Sequence, residues 1–161
     1  MIEAFCDWLS ATPLSLALQA ADWFVPSVQT VHILAIAILL ISVNVISLKL
    51  VGLIRGVQPL ATTMARSTPL IWSALLVLLV TGMLLTITEP ARELLNWAFR
   101  LKMLMVLILA GCMALIQWRL SANPDYWTAS AGRKWLARVL GVLVLALGAC
   151  IVTAGRWIAY V

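Results

Sequence analysis

Four apolar runs, each about as long as a bilayer crossing demands, dominate the chain and constrain what it can fold into. A helical span needs about 20 residues. The first run extends from about Ser27 to Ile54 (27–54) and the second from Pro69 to Thr88 (69–88). The third covers about Ala98 to Trp118 (98–118), and the fourth about Trp135 to Tyr160 (135–160). No stretch shows strand-like alternation, low complexity or an obvious internal repeat. The expectation is an all-α fold: an integral membrane four-helix bundle forming one membrane domain over residues 1–161. Composition agrees. Apolar residues make up 64% and charged residues 11%, against roughly 45–50% and about 25% in soluble proteins. A mean hydropathy of +1.07 leaves too little polar surface to cover a water-soluble globule. Disorder, a disulfide scaffold and a soluble enzyme are excluded.

Local signals punctuate the runs. Thr68-Pro69 predicts a helix start, Glu89-Pro90 closes the second span, and Asn123-Pro124 predicts a turn after the third. Ahead of the first span, residues 1–26 are polar-spaced, with Thr12-Pro13 as a helix start and Ile2, Phe5 and Leu9 at helical spacing. One or two short helices lying at the membrane interface are expected there, anchored by Trp8, Trp23 and Phe24. A secretory signal does not fit: the first 48 residues hold no Lys or Arg, while Glu3 and Asp7 occupy the usual basic region.

The formal charge of +5 is read as topology, not as nucleic-acid binding. Lys49, Arg55, Arg66, Arg119, Arg133, Lys134 and Arg138 fall on one side, and Arg92, Arg100, Lys102 and Arg156 on the other, where the N-terminal tail is acidic. The positive-inside rule then puts both termini outside, which for a bacterial inner membrane means the periplasm. Trp8, Trp23, Trp97 and Trp157 would form an outer aromatic belt, and Trp72, Trp118, Trp127 and Trp135 an inner one.

Ionisable groups inside a membrane are costly and point to function. Two sit well inside the runs: His32 in the first and Lys102 in the third. Counted from Pro26 and Trp97 at 1.5 Å per residue, both lie about 7–9 Å below the outer face. Arg156 and Glu89 end the fourth and second spans on the same side. His32 could ligate haem iron or another metal, or relay a proton. Ala35, Ile36, Leu39 and Val43 below it form an apolar face that could pack a porphyrin or a quinone. Lys102 and Arg156 could bind a propionate or a carbonyl, with Met83 as a soft sixth ligand. Against these stand plainer roles: Lys102 snorkelling, His32 as a hydrogen-bonded interface residue, Met105 and Met113 as packing, and Asn44 and Gln117 as interhelical hydrogen-bonders. Cys6, Cys112 and Cys150, odd in number and without a C-x-x-C, are expected to be small packing residues.

Gly141, Gly148 and Gly155 repeat every seven residues, a stripe where a helix of this chain or of a neighbouring subunit could approach closely. No P-loop, G-x-S-x-G, H-E-x-x-H or C-x-x-C-H occurs, and no catalytic residue is assigned. One histidine and few intramembrane carboxylates argue against a zinc or di-iron site.

Three stretches, W-L-S-A-T-P-L-S-L-A-L (Trp8 to Leu18), V-H-I-L (Val31 to Leu34) and A-F-R-L-K-M (Ala98 to Met103), resemble a family of uncharacterised bacterial membrane proteins of this length. More distantly, the histidine-bearing first span and R-L-K-M-L-M-V-L (Arg100 to Leu107) look like HemJ-type protoporphyrinogen oxidases and CopD-type copper-resistance membrane domains. The HemJ likeness implies haem b, with the histidine and lysine roles falling on His32 and Lys102. Lacking a second histidine, a single protomer cannot supply bis-histidine ligation. The expected function is a membrane redox protein that binds haem b or a quinone near the outer leaflet and passes electrons. The alternatives are a non-catalytic subunit or anchor of a homo-oligomer or larger membrane complex, and a copper or small-solute transporter.

Overall fold

The computed structural model describes residues 2–54 and 58–157, the side chains of Arg156 and Trp157 excepted. The described chain is helical throughout: α1 (Ile2–Ser10), α2 (Pro13–Gln19), α3 (Phe24–Val51), α4 (Leu60–Thr88), α5 (Pro90–Leu94), α6 (Trp97–Ala122) and α7 (Ala131–Trp157). Among them, α3, α4, α6 and α7 are long and apolar enough to cross a membrane. The protein is a multi-pass membrane protein in contact with lipid. Its long helices run alternately up and down. α3 packs along α4 and α7, α6 packs along α7, and α4 meets α6 over a shorter stretch.

The seam between the helices is filled by branched and flexible apolar side chains. Val43, Ile46, Ile71, Leu109, Met113, Ile116 and Val144 are each at most 1% exposed. Lipid is as apolar as these side chains, so close packing, not exclusion of water, drives the association. The glycine stripe shows this. A Cβ on Gly141 would stand 2.8 Å from the Ser47 carbonyl oxygen of α3, and one on Gly148 would stand 3.2 Å from Leu40 Cδ2. The stripe faces helices of its own chain.

Helix limits depart from the apolar runs in an instructive way. α4 starts at Leu60, nine residues before Pro69, which lies inside the helix. The Thr68-Pro69 start is therefore corrected: the Thr68 hydroxyl donates to the Met64 carbonyl at 2.8 Å and caps nothing. The extra turns are too polar to read as a span, yet Thr63 and Met64 are buried. Lys49 of α3 also holds them, donating to Thr63 Oγ1 and to the Gln58 carbonyl. α3 ends where Gly52 takes a φ of +89°, a left-handed conformation that suits glycine, and its N–H caps the Leu48 carbonyl. The Asn123 side chain accepts from the Asp125 N–H at 3.0 Å and turns the chain after α6.

The tryptophans divide between the two ends with one correction. Trp8, Trp23 and Trp97 are exposed at one end, and Trp72, Trp118 and Trp135 at the other. Trp127 belongs to no belt: it is 3% exposed, folded under the α6–α7 turn and set edge-on to Tyr126. Trp157 and Arg55 lie outside the described side chains.

Candidate functional site

One end of the bundle carries α1, α2 and α5, and is here termed the capped end. The two short N-terminal helices pack against α3, α4 and α5. Thr12 caps α2 by accepting from the Ser15 N–H, as Thr12-Pro13 predicts. From α2 the Ser15 hydroxyl donates to the Ile87 carbonyl at 2.7 Å, and Gln19 Nε2 donates to the Thr88 carbonyl at 2.9 Å. The buried Cys6 thiol of α1 points at the Pro90 carbonyl, 3.6 Å away. The last turn of a helix leaves carbonyls without intrahelical partners. At the end of α4, side chains from α2 supply them, while the α1 thiol meets the first residue of α5.

Beneath this cap, α3 and α4 meet at His32. Its Nδ1 lies 2.7 Å from Thr81 Oγ1. Thr81 is 6% exposed, and its hydroxyl donates to the Val77 carbonyl one turn earlier at 2.7 Å. A Thr81 hydroxyl that donates to Val77 has its oxygen left to accept from the ring. In that arrangement a neutral imidazole carries its proton on Nδ1, and Nε2 makes no hydrogen bond among the described residues. A ring held this way is oriented as metal-bound or proton-accepting histidines commonly are. The ring edge passes Gly82, where a Cβ would stand 3.7 Å from His32 Cε1.

Lys102 enters from α6, half-buried, with Nζ 3.8 Å from where a Cβ on Gly155 of α7 would stand. A cleft of about 180 Å³ lies above it, lined by Val25, Gln29, Thr88, Glu89, Glu93 and Gly155 among others. Burial pushes the Glu93 carboxyl above its ordinary value, with Lys102 and Arg92 opposing and Glu89 adding to the rise. Glu89 and Arg92 form an exposed ion pair at 2.6 Å. Glu93, Lys102, His32 and Thr81 thus descend from the cleft toward the core. Sequence reasoning singled out neither Thr81 nor Glu93 for this end. Thr81 reads as one more small residue in a span; its spacing from Thr88, two turns apart on one face, is the available signal.

The other expected residues fall as follows. Met83 is 54% exposed, on the far side of α4 from Thr81, and is not brought against the His32 ring. Arg156 lies in the last turns of α7, beside Gly155, with its side chain outside the described residues. Gln117 accepts from Trp72 Nε1 at 2.9 Å and ties α6 to α4, whereas the half-buried Asn44 makes no side-chain hydrogen bond among the described residues. Met113 is core and Met105 packs against it.

The face expected to receive a flat ring is packed except at Ile36, which is half-buried. Ala35, Leu39 and Val43 below His32 are buried, as are Leu109 and Met113 below Lys102. Ligand cavities for drug-sized molecules run to about 300–1,000 Å³, so a porphyrin does not fit the 180 Å³ cleft. Among the described residues no three of His, Cys, Asp and Glu gather to hold a metal ion. No protein-family model, curated protein or solved structure matches the chain.

Proposed function

We propose that this chain is an integral membrane redox subunit that takes a quinone headgroup at the capped end, with His32, Lys102 and Glu93 handling the protons. The observation that carries the reading is the His32–Thr81–Val77 chain, which holds the imidazole within a span, with Nε2 in no hydrogen bond among the described residues, on the same end of the bundle as the half-buried Lys102. A bound quinone supplies a two-electron, two-proton couple, its electrons passing to or from a redox partner in the membrane. Lys102 donates a hydrogen bond to a carbonyl oxygen. His32 Nε2 accepts the proton of a hydroxyl, and Glu93 passes protons to the polar cleft. The likeness of the His32 and Arg100–Leu107 stretches to histidine- and lysine-dependent redox membrane proteins supports the same two residues. The basic side chains gathered at the opposite end support placing the capped end at the periplasmic face of a bacterial inner membrane.

The test is titration of detergent-purified protein with a short-chain quinone, followed by tryptophan fluorescence. Saturable quenching is expected, weakened roughly tenfold or more by His32→Ala and by Lys102→Met, the loss of one strong charged or directional contact. Absence of saturable binding by the unaltered chain would overturn the reading. An oxidised-minus-dithionite-reduced absorption spectrum run beforehand distinguishes haem: a Soret band with reduced α and β bands would replace the quinone by a porphyrin.

A further inference from the structure

The end of the bundle opposite the cap has a charge distribution that its own residues leave unbalanced. Five of the six carboxylates, Glu3, Asp7, Asp22, Glu89 and Glu93, belong to the capped half, and Asp125 is the only one at the opposite end. There, α6 closes with Arg119 in its last turn, and α7 opens with Arg133 and Lys134 and no acidic residue in its first turn. A helix N-terminus carries partial positive charge and ordinarily favours acidic neighbours. Cations at that position repel the dipole and one another.

The two arginines are nevertheless gathered. The Arg119 guanidinium stands 5.1 Å from the centre of the Tyr126 ring and 4.7 Å from that of Trp118, and the Arg133 guanidinium stands 4.5 Å from the centre of Tyr126. Tyr126 is itself wedged against the buried Trp127. Aromatic faces orient a guanidinium and leave its N–H edge available. Among the described residues neither side chain forms an ion pair or donates a hydrogen bond, and Asp125 bridges neither of them. Of the other described arginine side chains, Arg66, Arg92 and Arg100 donate to Gln58, Glu89 and the Leu94 carbonyl respectively, and the exposed Arg138 stands on no aromatic ring and donates to no described residue. Two pre-oriented forks with unused donors, at a positive helix end, match the oxygens of a phosphate.

Position then selects the source. Trp118 and Trp135 flank the turn and are 62% and 66% exposed, the placement of indoles at headgroup level. Phosphates at that level belong to lipids. We propose that the α6–α7 turn, with Arg119 and Arg133 assembled on Tyr126, is a binding site for the phosphate of an anionic phospholipid. The site is independent of the quinone reading, lying at the other end of the bundle.

The experiment measures lipid retained by the full chain in mixed micelles of phosphatidylcholine and phosphatidylglycerol, counted by native mass spectrometry. The unaltered protein is expected to keep phosphatidylglycerol in roughly tenfold preference, the scale set by two arginines at a membrane surface. Arg119→Gln with Arg133→Gln is expected to abolish the preference, the exposed Arg133→Gln alone to reduce it, and Arg100→Gln at the capped end to leave it intact. Circular dichroism and a single elution peak establish that each variant is folded. No preference in the unaltered chain, or the same preference in the double variant, would overturn the proposal. Displacement of the lipid by inorganic phosphate would overturn it in favour of a free-anion site.

Discussion

His32 Nδ1 and Thr81 Oγ1 stand 2.7 Å apart between α3 and α4, and the same oxygen stands 2.7 Å from the Val77 carbonyl. This pair orients the ring, and with Thr81 donating to Val77 it favours the Nδ1–H tautomer.

Thr81→Val keeps the shape and removes the acceptor. Interhelical hydrogen bonds in membranes average about 0.6 kcal/mol and reach about 1.7. A loss in that range is expected in unfolding assays in detergent, with Thr81→Ser retaining most of the stability. The ¹⁵N shifts of His32 should show Nδ1–H in the parent and a tautomer mixture in the valine variant. An unchanged tautomer would contradict the assignment.

Three glycines of α7 give a graded series. At Gly141 a Cβ meets the Ser47 carbonyl oxygen at 2.8 Å, Val51 Cγ2 at 2.9 Å and Leu50 Cβ at 3.1 Å. Backbone cannot step aside as a side-chain tip can, so Gly141→Ala should cost about 1–3 kcal/mol, the usual overpacking range. Gly148→Ala touches only the flexible Leu40 Cδ2 at 3.2 Å and should cost less. Gly155→Ala, with nothing closer than 3.8 Å among the described residues, should be neutral or slightly stabilising through helix propensity. Thermal unfolding ranks the three, and equal losses at all three would refute the contact geometry.

Glu93 predicts a pH dependence. Its folded value is raised above the ordinary 4.5, chiefly by burial, so the folded chain holds this proton more tightly than the unfolded chain does. Stability from this group therefore falls as pH rises from the unfolded value through the raised folded one. Glu93→Gln should remove that slope and unfold at a higher temperature than the parent at neutral pH. Parallel profiles for the two proteins would count against it.

The cap over α4 predicts local loosening. Gln19→Ala and Ser15→Ala each leave a carbonyl of Thr88 or Ile87 without its donor, a change of about 1 kcal/mol. Amide exchange should quicken over residues 2–20 and at the end of α4, while the middles of the spans stay protected. Uniform quickening along the chain would show that the cap is not a separate unit.

Much of the architecture was legible because the bilayer imposes a length and a polarity that single residues report directly. The four spans, the Thr12-Pro13 start and the Asn123 turn follow from local chemistry. Helix limits were harder: Leu60 to Thr68 form helix although they are too polar for an apolar run, because Lys49 and the buried Thr63 hold them to α3. His32 and Lys102 stood out from the sequence as ionisable groups where few occur.

What these residues touch was decided only by the fold. Apolar periodicity in a span is nearly featureless, since lipid-facing and core-facing positions use the same residues. Nothing in the sequence therefore tells Met83, turned outward, from Met113, locked in the core. The glycine stripe announced a close approach, and the crossing of α3 and α7 named the partner. Likewise Thr81 gains its meaning from His32, 49 residues earlier in the chain, and the arginine pair from a turn that folds Tyr126 between them. The sequence by itself determined that this protein crosses a membrane as helices, because that requirement is met residue by residue. Tertiary structure alone decided which polar groups meet, because hydrogen bonds and ion pairs act over a few ångströms between helices whose rotation only packing sets.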